Sequence, residues 1–548
     1  MSFQKNRTSI IILFLLIVGY FLRFYNLTWG APYFFHPDER NIASAVSQMT
    51  FPINLNPHFF AYGGLPIYVI FFSGTILNLI QSTFQPVASL NQVNFENAIM
   101  ISRFYSALFS TLLIPAMFFI GKKIFNERCG VIAAGLTTFC VGFIQFAHFG
   151  TFEMWLTFFT LLLFWMCINF SYSLKYFFFC GILVGVLIAV KVSSMVILPL
   201  PLLPAFFYFL KQLNGKNIRL RNIFRLCFYF LVFIFSAVFV YLISNPYVVL
   251  DFAEFKNSMG YESGVALGTL PVFYTGEFTN SVPVIFQALR VFPFLLNPVA
   301  VILFLPLLAV FGIYAARKKN FELIILLLFF LVCFLSQAFL FVKWVRYMVP
   351  SVPFIILILS CSIEILRGEF KNKFININIY WFLMLSSIVF SMSYFLTTYV
   401  QKDSRFEALE YAKRNIPSSS LVLSEVYDLG IVPFNEYYPS ISLFNFYDLD
   451  LESTVYTQSA LEKAIQDADF IILPSQRLVK VRVSQPKTFP LGSKFYMSLL
   501  SGEMGFNKIY ETPCDLLCKI SYLTDPIYSY EQTANVFDRP RVMIFKKK

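Results

Sequence analysis

Phe35-His36-Pro37-Asp38-Glu39-Arg40 is a charged stretch that directly follows the first long apolar segment of the chain. The chain around it has 548 residues, of which 58% are hydrophobic and only 13% are charged. An ordinary soluble domain carries about a quarter charged residues, so this composition is typical of a protein that crosses a membrane several times. A pair of carboxylates at the rim of a membrane then indicates a functional site.

Short basic clusters between the apolar segments orient the chain in the membrane. Two examples are residues 122–128 and 317–319. Because cytoplasmic loops are enriched in Lys and Arg, the clusters place the N-terminus in the cytoplasm and the C-terminal part outside it. The formal net charge of +12 is distributed among these clusters, so we predict a multi-pass protein of the cell membrane with no nucleic-acid partner.

About eleven apolar segments are long enough to form transmembrane helices. They lie near residues 8–25, 100–121, 130–147, 152–170, 176–190, 194–211, 224–243, 298–316, 321–341, 347–366 and 377–397. Two further apolar segments, 63–84 and 282–296, would reverse the orientation of the basic clusters if either crossed alone. We therefore expect both to lie along the outer membrane surface, within a transmembrane catalytic domain at 1–398 whose first outer loop spans about 26–99.

The composition changes to that of a soluble domain after Tyr399. Residues 399–548 are predicted to form a small extracytoplasmic α/β domain, with helices at 405–415 and 459–466 and strands at 420–426, 469–473 and 541–545. This part has no glycine-rich phosphate loop, so we assign it no chemistry. Cys514 and Cys518 could pair or remain free.

Asp38 lies near the start of a short predicted helix at 42–49, which leaves several interpretations open. Asp at such a position commonly caps the helix, whereas a carboxylate at a membrane rim can also act as a general base. A third alternative is a metal ion held by His36, Asp38 and Glu39. A divalent metal is the one cofactor that these residues suggest.

Other charged and polar residues fall at the outer ends of the predicted helices, on the same side of the membrane as Asp38 and Glu39. Arg and Lys at helix ends often only extend toward lipid headgroups. Their convergence on one side, opposite two carboxylates, indicates a site instead. These residues are Arg103, His148, Glu153, Lys191, Lys343, Arg346 and Tyr347.

A carboxylate opposed by cations suits the transfer of a sugar from a polyprenyl phosphate. The leaving phosphate is already stable as an anion, so the reaction needs no general acid. It needs one carboxylate to take the proton from the acceptor and cations to neutralise the phosphate. Direct displacement at the anomeric carbon inverts the stereochemistry, because no carboxylate nucleophile intervenes.

Six motifs follow one another along the membrane part: His36-Pro37-Asp38-Glu39, Gly63-Gly64-Leu65-Pro66, Arg103-Phe104-Tyr105-Ser106-Ala107-Leu108, Lys191-Val192-Ser193-Ser194, Asn245-Pro246-Tyr247 and Arg346-Tyr347-Met348-Val349-Pro350. In this order they resemble the GT-C superfamily of membrane glycosyltransferases. The resemblance is to family 39, which contains the dolichyl-phosphate-mannose-protein mannosyltransferases and the aminoarabinose transferases of lipid A.

The resemblance implies a GT-C fold, a polyprenyl-phosphate sugar donor and an active site on the non-cytoplasmic side, with Asp38 as catalytic base and Glu39 beside it. It also implies that the donor phosphate binds near three cations and a tyrosine. Lys343 lies three residues before Arg346 on the same helical face, so we add it to that set. The predicted phosphate-binding residues are Arg103, Lys191, Lys343, Arg346 and Tyr347.

Glu153, together with His148, is predicted to form a second outer-loop site. The family usually has Asp at the position that Glu153 occupies.

The expected acceptor is a glycan, a lipid or a protein, and the bilayer itself is an expected partner. A lipid-linked glycan ligase or polymerase is the alternative function, although such an enzyme should use an outer loop rich in Arg and His, and this chain has three His residues. A secondary transporter is a further alternative, for which inverted repeats and charges at the midplane are expected.

Overall fold

A computed structural model describes residues 2–84, 86–87, 89–214, 220–369, 373–450 and 455–548. The chain divides into two compact units, each built from several segments. The first unit contains Met1–Leu27, Asp38–Leu267 and Leu295–Val389, and the second contains Thr28–Pro37, Gly268–Phe294 and Phe390–Lys548.

Helices account for nearly all regular structure before residue 396. The first twelve are α1 (Ser2–Phe24), α2 (Pro37–Gln48), α3 (Gly64–Ser82), α4 (Phe95–Ile124), α5 (Glu127–Thr138), α6 (Val141–His148), α7 (Glu153–Ile168), α8 (Leu174–Val190), α9 (Leu203–Asn214), α10 (Leu220–Ser244), α11 (Tyr247–Leu250) and α12 (Phe252–Leu267). They are followed by α13 (Phe292–Leu295), α14 (Pro298–Lys318), α15 (Phe321–Ala338), α16 (Val345–Met348), α17 (Val352–Glu369) and α18 (Lys373–Phe395).

Nine helices within the described residues are long and apolar enough to cross a membrane. The pair α5 and α6, bent by 50° at Phe139 and Cys140, could form a tenth span, and the apolar helices α7 and α8 are shorter. The prediction of a polytopic helical membrane protein is confirmed. Helix α3 is among the nine, and its predicted position along the outer surface stays a prediction.

Polar capping residues determine where several of these helices begin. The side chains of Asn94, Asn126, Ser173, Asn297 and Asn320 each accept a hydrogen bond from a backbone N–H in the first turn of the helix that follows. Such caps satisfy donors that lack a partner within the helix. In a membrane protein this matters more, because lipid offers those donors no alternative.

A five-stranded sheet forms the centre of the second unit. Its strands are β1 (Val422–Glu425), β2 (Ile441–Phe444), β3 (Phe470–Leu473), β4 (Phe506–Glu511) and β5 (Met543–Lys547), in the spatial order β2-β1-β3-β5-β4. The first three are parallel, and β5 runs antiparallel to both β3 and β4. The helices of this part are α19 (Ser404–Asn415), α20 (Val432–Asn435), α21 (Val455–Asp467), α22 (Arg477–Ser484), α23 (Pro490–Ser501) and α24 (Leu516–Ser521). The predicted α/β domain is confirmed.

Two segments from earlier in the sequence pack into the second unit. The guanidinium of Arg405 lies 3.5 Å from the centre of the Phe35 ring. Lys480 Nζ lies 2.5 Å from Glu277 Oε1, and both side chains are buried. The predicted domain boundary at residue 398 placed both of these segments in the transmembrane domain.

Cys514 and Cys518, whose pairing the sequence left open, form a disulfide.

Candidate active site

Asp38 lies in the first turn of α2 and is paired with an arginine from a distant part of the sequence. Arg346 Nη1 donates a hydrogen bond to Asp38 Oδ2. The hydroxyl of Tyr62 lies 3.3 Å from the same oxygen and 3.3 Å from Arg346 Nη1. About a quarter of each charged side chain remains exposed, at 24% for Asp38 and 23% for Arg346, so a substrate can still reach this pair.

Aromatic rings surround the cations of this site. Lys191 Nζ lies 4.7 Å from the centre of the Tyr347 ring and 5.5 Å from that of Tyr62. The guanidinium of Arg346 lies 4.6 Å from the centre of the Trp344 ring. Aromatic faces stabilise a cation without neutralising it, so Lys191 and Arg346 keep charge that can be offered to an anion.

The glycines of the predicted Gly63-Gly64 motif bring Tyr62 to this place. The N–H of Gly63 donates to the carbonyl of Val190, the last residue of α8, at 2.9 Å. A Cβ on Gly63 would lie 1.9 Å from the carbonyl oxygen of Ala189, so no larger residue fits. The close approach of these two backbones sets Tyr62 beside Lys191, the residue that follows α8.

Burial has a chemical consequence for Tyr62. Removal from water, followed by the nearby Asp38 carboxylate, raises the pKa of this phenol well above its ordinary value. The phenol therefore stays protonated and acts as a donor to Asp38 at any physiological pH. It orients the carboxylate without competing with it for a proton.

Lys191, Arg346 and Tyr347 line a cavity that also has Glu153 in its wall. Glu153 is the first residue of α7 and is buried. Neither of its carboxylate oxygens has a hydrogen-bond partner among the described residues. A buried carboxylate without partners is costly unless a ligand or cation satisfies it. The cavity therefore combines a free acid with two cations, which is the pattern of a polar binding site.

Glu39, directly after Asp38, lies in a different environment. Arg103 Nη2 donates to Glu39 Oε1, and Arg103 Nε and the Gly150 N–H each donate to Oε2 at 3.0 Å. Arg103 Nη1 also donates to the carbonyl of Leu27 at 2.6 Å. Neither charged side chain is exposed. The structure thus places Arg103 against Glu39 rather than in the cavity, because the two buried charges neutralise each other.

Three other residues predicted for the site lie outside the cavity. The ring nitrogens of His148 lie 2.8 Å from the carbonyl oxygen of Ile144 and 2.9 Å from that of Tyr25. Lys343 Nζ donates to the backbone carbonyl of Phe341 at 2.9 Å, so its ammonium is engaged locally. His36 packs against Phe537, with ring centres 4.4 Å apart. Each position follows from contacts that the sequence alone does not reveal.

The alternative of a metal held by His36, Asp38 and Glu39 does not fit the arrangement of these side chains. Both oxygens of Glu39 already accept hydrogen bonds from Arg103 or Gly150. Oδ2 of Asp38 accepts a hydrogen bond from Arg346, and the positive charge of Arg346 would repel a metal cation. We derive no step through a metal at this position.

Sequence reasoning missed two members of the site. Tyr62 was overlooked because a tyrosine in an aromatic stretch suggests packing. Glu262, on α12, is close enough to Arg346, Lys191 and Asp38 to interact with their charges, and burial is the main cause that raises its pKa. Its position in a long outer loop of a charge-poor protein is the signal that could have identified it.

Comparison with known proteins gives one family match. Residues 91–243, which include Arg103, Glu153 and Lys191, match the family described as dolichyl-phosphate-mannose-protein mannosyltransferase. Among curated protein sequences no match is found.

Two of the solved structures that resemble the chain cover its whole length, and a third covers less than half of it. The Archaeoglobus fulgidus oligosaccharyltransferase in its apo form is 13% identical, with a TM-score of 0.53 over 100% of this chain and 89% of that one. ArnT from Cupriavidus metallidurans bound to undecaprenyl phosphate is 12% identical, with a TM-score of 0.47 over 100% and 98% of the two chains. The Saccharomyces cerevisiae protein O-mannosyltransferase complex bound to the sugar donor is 14% identical, with a TM-score of 0.35 over 45% and 34%. The predicted resemblance to GT-C glycosyltransferases of family 39 is confirmed, and the chain shares the fold of the archaeal enzyme.

Proposed function

We propose that this chain is an inverting glycosyltransferase that moves a sugar from a polyprenyl-phosphate donor to an acceptor on the non-cytoplasmic side of the membrane. The family match and the shared fold support glycosyl transfer in general. The observation that carries the finer proposal is the partly exposed ion pair between Asp38 and Arg346, because Arg346 also lines a cavity together with the cation Lys191.

Asp38 is the group that takes the proton from the acceptor. Arg346 favours the ionised form of its carboxylate, and Tyr62 fixes its direction. A carboxylate in this state accepts a proton from a hydroxyl or an amine as that atom attacks the anomeric carbon. The reaction balances, because the new glycosidic bond forms as the bond from carbon to phosphate oxygen breaks and the phosphate leaves with the electron pair.

Lys191 and Arg346 stabilise the departing phosphate. Both line the cavity, and Arg346 Nε is buried without a hydrogen-bond partner in the described structure. A phosphate oxygen would give that donor a partner, and charge-assisted bonds to phosphate are among the stronger hydrogen bonds. Tyr347 forms part of the wall and holds Lys191 by its ring face. Arg103 and Glu39 are positioning residues that act through α2 and α4.

Two observations support the donor class and the side of the membrane. The archaeal oligosaccharyltransferase with the same fold has been solved with a dolichol-phosphate. The disulfide between Cys514 and Cys518 belongs to the C-terminal part of the chain, and disulfides persist in oxidising compartments rather than in the cytosol. The first supports the donor class, and the second agrees with a C-terminal part outside the cytoplasm.

The test is release of free polyprenyl phosphate from a panel of polyprenyl-phosphate sugars, with candidate hydroxyl and amine acceptors, by protein in nanodiscs. We expect Asp38→Asn to lower the rate by about 100- to 10,000-fold, the range for a general base. Asp467→Asn, at an exposed position of α21, is the matched control and should leave the rate unchanged. A wild-type rate in Asp38→Asn, with an unchanged melting temperature, would overturn the proposal.

A further inference from the structure

Outside the cavity, a second group of polar side chains converges in the first unit. His58 comes from the first outer loop, whereas Asp251 and Glu254 lie at the start of α12. One ligand atom from each residue lies within 4.8 Å of the other two. His58 Nδ1 is 2.8 Å from Glu254 Oε2. An imidazole and two carboxylates from two separate loops therefore meet at one point.

A single asparagine holds the two loops in register at this point. Asn56 Nδ2 donates to Asp251 Oδ2 at 3.0 Å, and Asn56 Oδ1 accepts the backbone N–H of His58 at 3.2 Å. Residues that orient metal ligands from behind in this way are a regular part of metal sites.

We propose that His58, Asp251 and Glu254 bind a divalent transition metal ion of the zinc class. Imidazole together with carboxylate is a ligand set that zinc accepts, whereas calcium and magnesium prefer oxygen ligands alone. Ligand atoms around tetrahedral zinc are about 3.4 Å apart, which follows from metal–ligand distances of about 2.1 Å. The observed spread of up to 4.8 Å closes by rotation of side chains that are still partly exposed.

The hydrogen bond between His58 and Glu254 does not by itself explain the cluster. Both side chains are exposed, at 52% and 40%, and exposed ion pairs contribute about 0–1 kcal/mol. So small a contribution does not explain why Asp251 and Asn56 also converge here. A metal ion explains all four residues, with His58, Asp251 and Glu254 as ligands and Asn56 orienting Asp251.

The metal fastens the first outer loop to α12, and α12 continues toward the active site. Glu262 lies two turns further along this helix and interacts with the charges of Arg346 and Lys191. The carbonyl of Ala266, near its end, accepts a hydrogen bond from the Phe341 N–H at 3.0 Å. The ion is thus a structural clamp beside the cavity. Metal binding is measured without any sugar donor, so the test of this proposal is independent of the proposed transfer reaction.

The experiment is a zinc titration of the full-length, tag-free protein after removal of metals with a chelator. We expect one equivalent to bind per chain, and affinity to fall at least 10-fold in His58→Gln, Asp251→Asn and Glu254→Gln, with a comparable loss in Asn56→Ala. Glu96→Gln changes an exposed acid in the first turn of α4 and should bind zinc as the wild type does. Zinc should also raise the melting temperature of the wild type but not of the triple variant.

Three results would overturn the proposal. One is zinc binding that is equally tight in the wild type and the triple variant, which would mean binding elsewhere. Another is the absence of a zinc-dependent rise in melting temperature in the wild type. The third is calcium or magnesium binding as tightly as zinc, which would assign the cluster to another class of ion.

Discussion

Asp38 and Glu39 are adjacent in the sequence, and each pairs with one arginine, yet they lie in opposite environments. The Asp38–Arg346 pair is about one quarter exposed and borders a cavity. The Glu39–Arg103 pair is completely buried and takes further hydrogen bonds from Gly150 and to Leu27. On a helix, consecutive side chains point about 100° apart, so one step along α2 moves from the site to the core. Exposure, rather than charge, separates the pair that we propose to act in the chemistry from the pair that we propose to be structural.

The largest effect on stability is expected from breaking the buried pair. Arg103→Met leaves the Glu39 carboxylate buried without its cation, which typically costs about 3–5 kcal/mol. Thermal unfolding in nanodiscs measures this as a clear fall in melting temperature. The double variant Arg103→Met with Glu39→Gln should recover part of the loss, because no unpaired charge remains.

Asp38→Asn is the matched control for this comparison, since its pair is partly exposed and its melting temperature should change little. If Arg103→Met melts like the wild type and nevertheless loses sugar transfer, the Glu39–Arg103 pair belongs to the chemistry, and the contrast between the two pairs fails.

Glu425 in β1 extends the comparison to a buried acid whose hydrogen-bond donor is uncharged. The hydroxyl of Tyr496 donates to its Oε1 at 2.5 Å, and burial raises the pKa of Glu425 to about 8. The folded state therefore binds a proton that the unfolded state, with an ordinary pKa of 4.5, releases. Stability from this group is present below about pH 4.5 and is lost as pH rises toward 8.

Glu425→Gln keeps the hydrogen-bonding shape but removes the proton equilibrium. Relative to the wild type, the variant should gain roughly 3 kcal/mol of stability at most between pH 5.5 and 8, at about 1.4 kcal/mol for each pH unit. Parallel melting curves of both proteins across this range measure the difference. Glu462→Gln, at an exposed position of α21, is the control. A difference that stays constant with pH would show that Glu425 is ionised when folded.

Much of the fold follows from the sequence because membrane helices are determined locally. A span needs about 20 apolar residues and its orientation follows from nearby Lys and Arg, so each of the eleven predicted segments falls on helical structure. The strands β1, β3 and β5 were also predicted, since their short apolar stretches are buried. Strands β2 and β4 were missed, because most of their side chains are at least partly exposed and form no continuous apolar pattern.

The candidate site was predictable in its residue types but not in its partners. Asp38, Lys191, Arg346, Tyr347 and Glu153 were selected because charge is rare at the outer ends of helices, and the structure brings Asp38 to Arg346 and the other four to one cavity. Which arginine pairs with which carboxylate depends on the packing of α2 against helices far away in sequence. No local sequence pattern contains that information, so the sequence predicted the same phosphate-binding role for Arg103 and Lys343 as for Lys191.

Lys191 and Lys343 give the finest test of the exposed site, because the sequence treats them alike and the structure does not. Lys191 lines the cavity between two aromatic rings, whereas the ammonium of Lys343 is bound to the carbonyl of Phe341. Lys191→Met should lower kcat/KM for the lipid-linked donor by about 100-fold, the lower end of the range for losing one group that stabilises a developing anion. Lys343→Met should stay within about twofold, as for substitutions away from a site. Steady-state kinetics at varied donor concentration separate the two, and equal losses in both variants would mean that the donor phosphate extends beyond the cavity to Lys343.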